Sequence, residues 1–230
     1  MNSLTLNTLM VLWKQRLKSK KMTKFSILLD KKNPWLEPFV NNFLNHHKSI
    51  SINLTFSLSE AVKSDVCFVL GYTRIIDLKK IPQQTRFYII HESSLPQGKG
   101  FSPLIWQILE GKNKIKICLI EMREDVDSGP IILQDTISLN GSELYEEIRE
   151  KQAYFTLNLV KEFIMSKNLP KPQAQKGKES FYKRRSKEDS ELDINKTIKE
   201  QFNKLRVGNN DERPSFFYFK GHKYSFKNRK

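Results

Sequence analysis

A doubly wound α/β fold, with helices on both faces of a mostly parallel sheet, is what this sequence predicts. Three observations predict it. Short runs such as "DVCFVLGY" (65–72) are almost wholly apolar, as strands buried on both faces are. Between such runs lie stretches whose apolar residues recur at helical spacing. The two kinds follow one another in the rhythm strand, helix, strand, strand, which is that of a layered α/β domain.

Taken in order, "FSILLD" (25–30) is a first buried strand closed by an acid. In "NPWLEPFVNNFLNHH" the residues Trp35, Leu36, Phe39, Val40, Phe43 and Leu44 share one helix face, and Pro34 suits a first turn. "SINLTFSL" (51–58) alternates as a strand does, "DVCFVLGY" stops at Gly71, and "TRFYIIH" (85–91) stops at His91. After an irregular loop, "PLIWQILEGK" (103–112) reads as a helix capped by Gly111. "KIKICLIEM" (114–122) and "GPIILQDTISL" (129–139) are strands joined by the turn "EDVDSG". The longest helix falls within 142–167, with Leu144, Ile148, Ala153, Phe155, Leu159, Val160 and Phe163 as its apolar stripe. "NLPKPQAQKGKES" (168–180) has the Pro, Lys, Gln and Gly content of a linker. The last unit holds a helix starting near Asp193 or Asn195, then a hairpin (215–227) turning at Lys220–Gly221. The expected organisation is an extension over 1–21, a main domain over 22–168, a linker over 169–180, and a small C-terminal helix and β-hairpin extension over 181–230.

The chain's 230 residues suffice for one core with an appendage, and its mean hydropathy of −0.54 fits a soluble globular chain with polar segments. The net charge of +15 is unevenly spread. Residues 1–22 hold five basic and no acidic residues, and 171–230 hold 17 basic against 8 acidic, so the core between them is almost neutral. Most of this charge reads as a solvated basic tail; the competing reading is attraction to phosphates. Cys67 and Cys118 sit in apolar runs without metal-ligand spacing, as buried thiols of a cytoplasmic protein would. "LTLNTLMVLW" is too short to span a membrane, and the charges follow it instead of preceding it as in a secretory signal. Met22, just before the first core strand, is the expected start of translation.

Ligands of such sheets bind beyond the carboxyl ends of the strands. Gly71-Tyr72 ends one strand there, His91 ends the next, and the "EDVDSG" turn with Asp127 ends a third. A histidine at a strand tip, opening a Ser/Gly/Pro loop, can hydrogen-bond a reacting oxygen or move a proton. Asp127 can orient that histidine and accept a proton. Each alone is more often structural; both at one sheet edge make a candidate catalytic pair.

The order "HESSLPQGKG", "SPLIWQILEG", "VDSGPII" resembles the folate-dependent formyltransferases, whose pattern is Asn-x-His-Pro-Ser-Leu-Leu-Pro, a glycine-containing loop, Pro-x-x-Trp and Asp-x-Gly-Pro-Ile-Ile. The match runs from about 86 to 135, and the tail "YKRRSKEDSELDINKTI…LRV…PSFFYFKGHKY" is similar to the segment that follows the catalytic domain in members acting on tRNA or nucleotide sugars. The resemblance is closest to nucleotide-linked amino-sugar N-formyltransferases of pseudaminic-acid-type pathways. It implies a Rossmann-like catalytic domain and N10-formyltetrahydrofolate as co-substrate, with no metal. The acceptor it implies is a nucleotide-linked amino sugar, such as a UDP-linked 4-amino-4,6-dideoxy sugar, with no nucleic-acid partner expected. Of the family's Asn, His and Asp triad, His91 and Asp127 match. The third position falls on Ile89, which has no hydrogen-bond donor to offer, and Glu92 replaces the usual proline. Asn33 and Ser93 are candidate substitutes for the missing amide. The pterin is expected against Gly71, Tyr72 and the turn bearing Glu121, Val126 and Asp127. Lys99, Lys183, Arg184 and Arg185 are candidates for a diphosphate clamp, whereas Phe216 and Phe217 read as hairpin core. A methionyl-tRNA formyltransferase-like enzyme is the alternative; it would account for the basic tail, but the tRNA enzymes carry a further β-barrel domain. A catalytically impaired folate or nucleotide-sugar binding protein is the third reading, on the strength of Ile89. The hairpin's apolar face offers a surface on which a second subunit could form a homodimer.

Overall fold

The computed structural model describes residues 23–82 and 84–230; the extension expected over 1–21, and Met22, lie outside the described residues. In chain order the strands are β1 (Phe25–Leu28), β2 (Ile52–Thr55), β3 (Val66–Val69), β4 (Arg86–His91), β5 (Lys99–Gly100), β6 (Lys114–Glu121), β7 (Ile131–Ser138), β8 (Phe181–Tyr182), β9 (Phe216–Phe219) and β10 (His222–Ser225). The α-helices are α1 (Glu37–His46), α2 (Leu58–Ala61), α3 (Pro103–Leu109), α4 (Tyr145–Met165) and α5 (Phe202–Arg206). Six strands form one sheet in the order β2-β1-β3-β4-β6-β7. The first four are parallel; β6 runs antiparallel to β4, and β7 antiparallel to β6. The sheet is thus mostly parallel, with an antiparallel edge.

The apolar runs become strands because both sheet faces are covered. All four residues of β3 are buried. Alternation in β4 divides its side chains between two layers. Tyr88 and Ile90 join the larger core with α1, α3 and α4, where the Tyr88 ring lies 4.7 Å from that of Phe163. Phe87 and Ile89 join a smaller core with Ala61 of α2. Burial raises Cys67 and Cys118 to about 11, so both thiols stay protonated near neutrality.

The C-terminal segment is tied to this core by Arg206 of α5. Its guanidinium reaches Asn113 Oδ1 at 3.2 Å and Glu143 at 3.5 Å. Burial alone would raise the Glu143 pKa. The Lys151 ammonium at 2.7 Å and the backbone N–H groups of Asn140 and Gly141 outweigh it and hold the pKa at about 2. The hairpin turns at Lys220 and Gly221, both at positive φ, as a tight two-residue connection requires.

One sequence expectation needs correction. The helix expected near Asp193 or Asn195 starts only at Phe202. Side chains hold the intervening chain in turns. Gln201 bonds the Asp193 N–H and carbonyl, and Glu200 accepts from both Thr197 donors. Just beyond the stretch of linker composition, β8 pairs in parallel with β5 through Lys99↔Phe181 and Gly100↔Tyr182.

Candidate active site

A cleft of about 470 Å³ opens beyond the carboxyl ends of β3 and β4. His91 is the last residue of β4 and is 4% exposed. Its ring is held by the following loop. Nε2 lies 2.7 Å from the Gly98 carbonyl oxygen, which can only accept, so Nε2 carries the proton of that bond. The exchangeable nitrogen is therefore Nδ1, which faces Asp127 Oδ2 at 3.5 Å. The same carboxylate oxygen accepts the Gly100 N–H at 2.8 Å. One short loop thus presents a carbonyl to the histidine and an N–H to the aspartate.

Asp127 reaches this position from a turn with φ of 52°, in the left-handed region that aspartate tolerates better than most residues. Gln175 fixes the turn by donating to the carbonyls of Asp127 and Gly129 at 2.7 and 2.8 Å. Gly129 has no alternative, since a Cβ there would overlap the Glu121 carbonyl.

The formyl transferase family's sequence profile matches residues 26–162. The chain belongs to the formyl transferase family. Methionyl-tRNA formyltransferase of Thermodesulfovibrio yellowstonii is 26% identical over 151 residues, which cover 64% of this chain and 49% of that protein. The chain thus spans about half the length of the curated relatives it matches. In structure it is similar to methionyl-tRNA formyltransferase from Clostridium thermocellum, with a TM-score of 0.72 at 21% identity over 90% of this chain and 92% of that one. It is also similar to an N-formyltransferase from Helicobacter canadensis in complex with folinic acid and dTDP-3-aminofucose, with a TM-score of 0.58 at 18% identity over 81% and 80% of the two chains.

The residues expected to hold the co-substrate come together: Gly71, Tyr72, Glu121, Val126 and Asp127 all line the cleft. So do Asn33, Arg184 and Arg185. Asn33 donates its side-chain amide to the Gly71 carbonyl at 2.7 Å, which uses one of its two N–H groups. Ile89 lines the cleft as well, and its side chain packs between two apolar clusters.

Three expected site residues do not line the cleft. Ser93 is buried with its hydroxyl beside Gly98 and no hydrogen-bond partner among the described residues. Lys99 is 3% exposed and pairs with Glu179. Lys183 turns to Asp189 at 3.0 Å and lies over the Trp106 ring. Buried or paired in this way, the two lysines have little charge left for a substrate.

Sequence reading missed the contribution of α4. Tyr145, Arg149, Gln152 and Thr156 all line the cleft, at spacings that put them on one helix face. This polar stripe beside the apolar one was a usable signal. Arg149 stacks over the Trp35 and Tyr145 rings at 4.5 and 4.9 Å and donates to Gln152 Oε1 at 2.6 Å. Gln152 in turn donates to Glu92 Oε1 at 2.6 Å. Arg213 also lines the cleft, and nothing in the sequence separated it from the other charges of the tail.

Proposed function

We propose that this chain transfers a formyl group from N10-formyltetrahydrofolate to the free amine of a nucleotide-linked amino sugar. The observation that carries the reading is His91 and Asp127 paired at the floor of a cleft whose rim holds several arginines. The likeness to an N-formyltransferase holding folinic acid and a dTDP-linked amino sugar supports the substrate class. A UDP-linked 4-amino-4,6-dideoxy sugar is the acceptor of choice.

The residues present fit a folate. The β3 and β4 ends offer backbone and the apolar groups of Val69, Leu70 and Ile89, β6 adds Ile120, and the 121–129 turn adds Met122 and Val126, enough to cover a flat ring. Bound there, the folate supplies a formyl group on a leaving nitrogen. Transfer makes one C–N bond to the sugar amine, breaks the C–N10 bond, and moves one proton from the amine to N10. His91 serves this step through Nδ1, which accepts a proton in the transfer and, once the ring is imidazolium, donates to the formyl oxygen where charge grows. Asp127 keeps the imidazolium paired and assists removal of the amine's proton. Asn33, with one amide hydrogen still free, takes over the place that Ile89 leaves without a donor.

The test uses purified protein, N10-formyltetrahydrofolate and a panel of amino-sugar nucleotides, with tetrahydrofolate release followed by absorbance. Turnover with a sugar, lost in His91→Ala and Asp127→Ala, is expected. Formylation of methionyl-tRNA alone would replace this reading by the second one, which the names of the sequence relatives favour. Folate binding without any turnover would mean that Ile89 marks a binding protein.

A further inference from the structure

We propose that Arg149, Arg185 and Arg213 form a diphosphate-binding subsite on the wall of the cleft. The proposal rests on the nucleotide-sugar reading and assigns the part of the site that would recognise the diphosphate link.

Arg185 is the starting observation. It lines the cleft, yet it is only 7% exposed. One of its nitrogens donates to Ser190 Oγ at 3.0 Å, and its Nε has no partner at all among the described residues. Among the described residues no carboxylate forms an ion pair with it. A buried, unneutralised cation is costly to a fold, and such charges are normally paired.

Arg206 shows what a structural arginine looks like in this same molecule. It too is buried, at 1% exposure, and its Nε is likewise without a partner among the described residues, but it holds the Glu143 carboxylate and the Asn113 side chain and does not line the cleft. Arg185 has no equivalent of Glu143.

The neighbours of Arg185 add positive charge instead of cancelling it. Burial pushes its pKa down, and the charges of Arg213 and Arg149 push the same way, with Asp189 opposing them. Asp189 is engaged elsewhere, by Lys183 at 3.0 Å and by the Ser186 N–H at 2.7 Å. Glu212 also lines the cleft, but it pairs with none of the three arginines. Among the described residues the arginine ion pairs are those of Arg74, Arg123 and Arg206. Three unpaired guanidinium groups from α4, the segment after β8 and the loop before β9 therefore face one cleft.

Guanidinium forks match phosphate oxygens in pairs, and three of them match a diphosphate better than a single carboxylate. Arg149 is held in place for this role, with its flat face on Trp35, Nε donating to the Tyr145 hydroxyl at 3.0 Å and Nη1 to Gln152, which leaves Nη2 for a ligand. Lys99 and Lys183, which the sequence offered for the same clamp, are already paired with Glu179 and Asp189.

The experiment is calorimetric titration of the full chain with uridine diphosphate, thymidine diphosphate, uridine monophosphate and inorganic pyrophosphate, with folinic acid as a separate ligand. Arg213→Ala and Arg149→Ala are the main variants. Arg185→Lys keeps the buried charge while removing the fork, so that a folded variant is available at this position too. Diphosphates are expected to bind at least about tenfold more tightly than the monophosphate, with pyrophosphate competing. Each variant should weaken diphosphate binding by about tenfold or more and leave folinic acid unchanged. Unchanged diphosphate affinity in Arg213→Ala and Arg185→Lys would overturn the subsite, and so would no diphosphate binding to the unaltered chain. Binding of methionyl-tRNA through these arginines while nucleoside diphosphates fail would also overturn it. The two levels separate cleanly. Arginine-dependent diphosphate binding without formyl transfer to any sugar would sink the proposed function and leave the subsite. Sugar formylation with unaltered KM in all three variants would do the reverse.

Discussion

The Ser180 hydroxyl oxygen accepts the Gly98 N–H at 2.9 Å, and the Gly98 carbonyl accepts the Nε2 proton of His91. A residue in the segment after α4 therefore sets the ring of a histidine at the end of β4. Ser180→Ala removes that support without touching substrate. It should lower kcat several-fold with little change in KM for either substrate. A lowered thermal stability with unchanged kcat would mean that Ser180 only supports the fold.

Gly100 is held more rigidly still. Its φ is 96°, a Cβ there would run into the Tyr182 carbonyl oxygen, and its N–H is engaged by Asp127. Gly100→Ala should cost about 1–3 kcal/mol in stability from backbone strain. It should also reduce kcat far more than Ser93→Ala, because the backbone shift that the new Cβ forces displaces the N–H that fixes the Asp127 carboxylate. Thermal unfolding and steady-state kinetics on both variants check this.

Glu92 connects the reaction end of the cleft to its basic wall through Gln152 and Arg149, by bonds of 2.6 Å each. Glu92→Ala frees Gln152 and with it the orientation of Arg149. The expected result is a KM for the acceptor raised about five- to tenfold at nearly constant folate KM, the pattern of lost substrate positioning. Equal changes in both constants would argue against this connection.

The parts of this architecture that the sequence revealed are those fixed by local pattern. β3 and β4 were legible because their residues are apolar through the layer, and His91 and Asp127 because each closes or follows a strand at the same sheet edge. The fate of the lysines was not legible. Lys99 is neutralised by Glu179, 80 residues away, and only the β5–β8 pairing brings the two together. Turn chemistry in 193–201 defeated a helical pattern because side-chain bonds to backbone compete with helix in a way that spacing does not report. The arginines divide along the same line. Arg149 sat in a readable polar stripe, whereas Arg213 depends on the fold of the tail.

Glu143 makes a prediction about stability that is independent of the chemistry. Its folded pKa of about 2 lies below the ordinary glutamate value of 4.5, so the carboxylate stabilises the fold fully above about pH 4.5. That contribution fades as the pH falls from there towards 2, where the folded protein also takes up the proton. Glu143→Gln should therefore flatten the loss of stability across this acid window, at the expense of lower stability near neutrality. Glu143→Ala, which leaves Arg206 buried without its carboxylate, should cost about 3–5 kcal/mol at neutral pH. Chemical denaturation from pH 7 down to pH 3 measures both. A wild-type stability that stays flat through the window, or a Gln variant with the same acid slope, would show that the Arg206–Glu143–Lys151 cluster does not anchor the C-terminal segment.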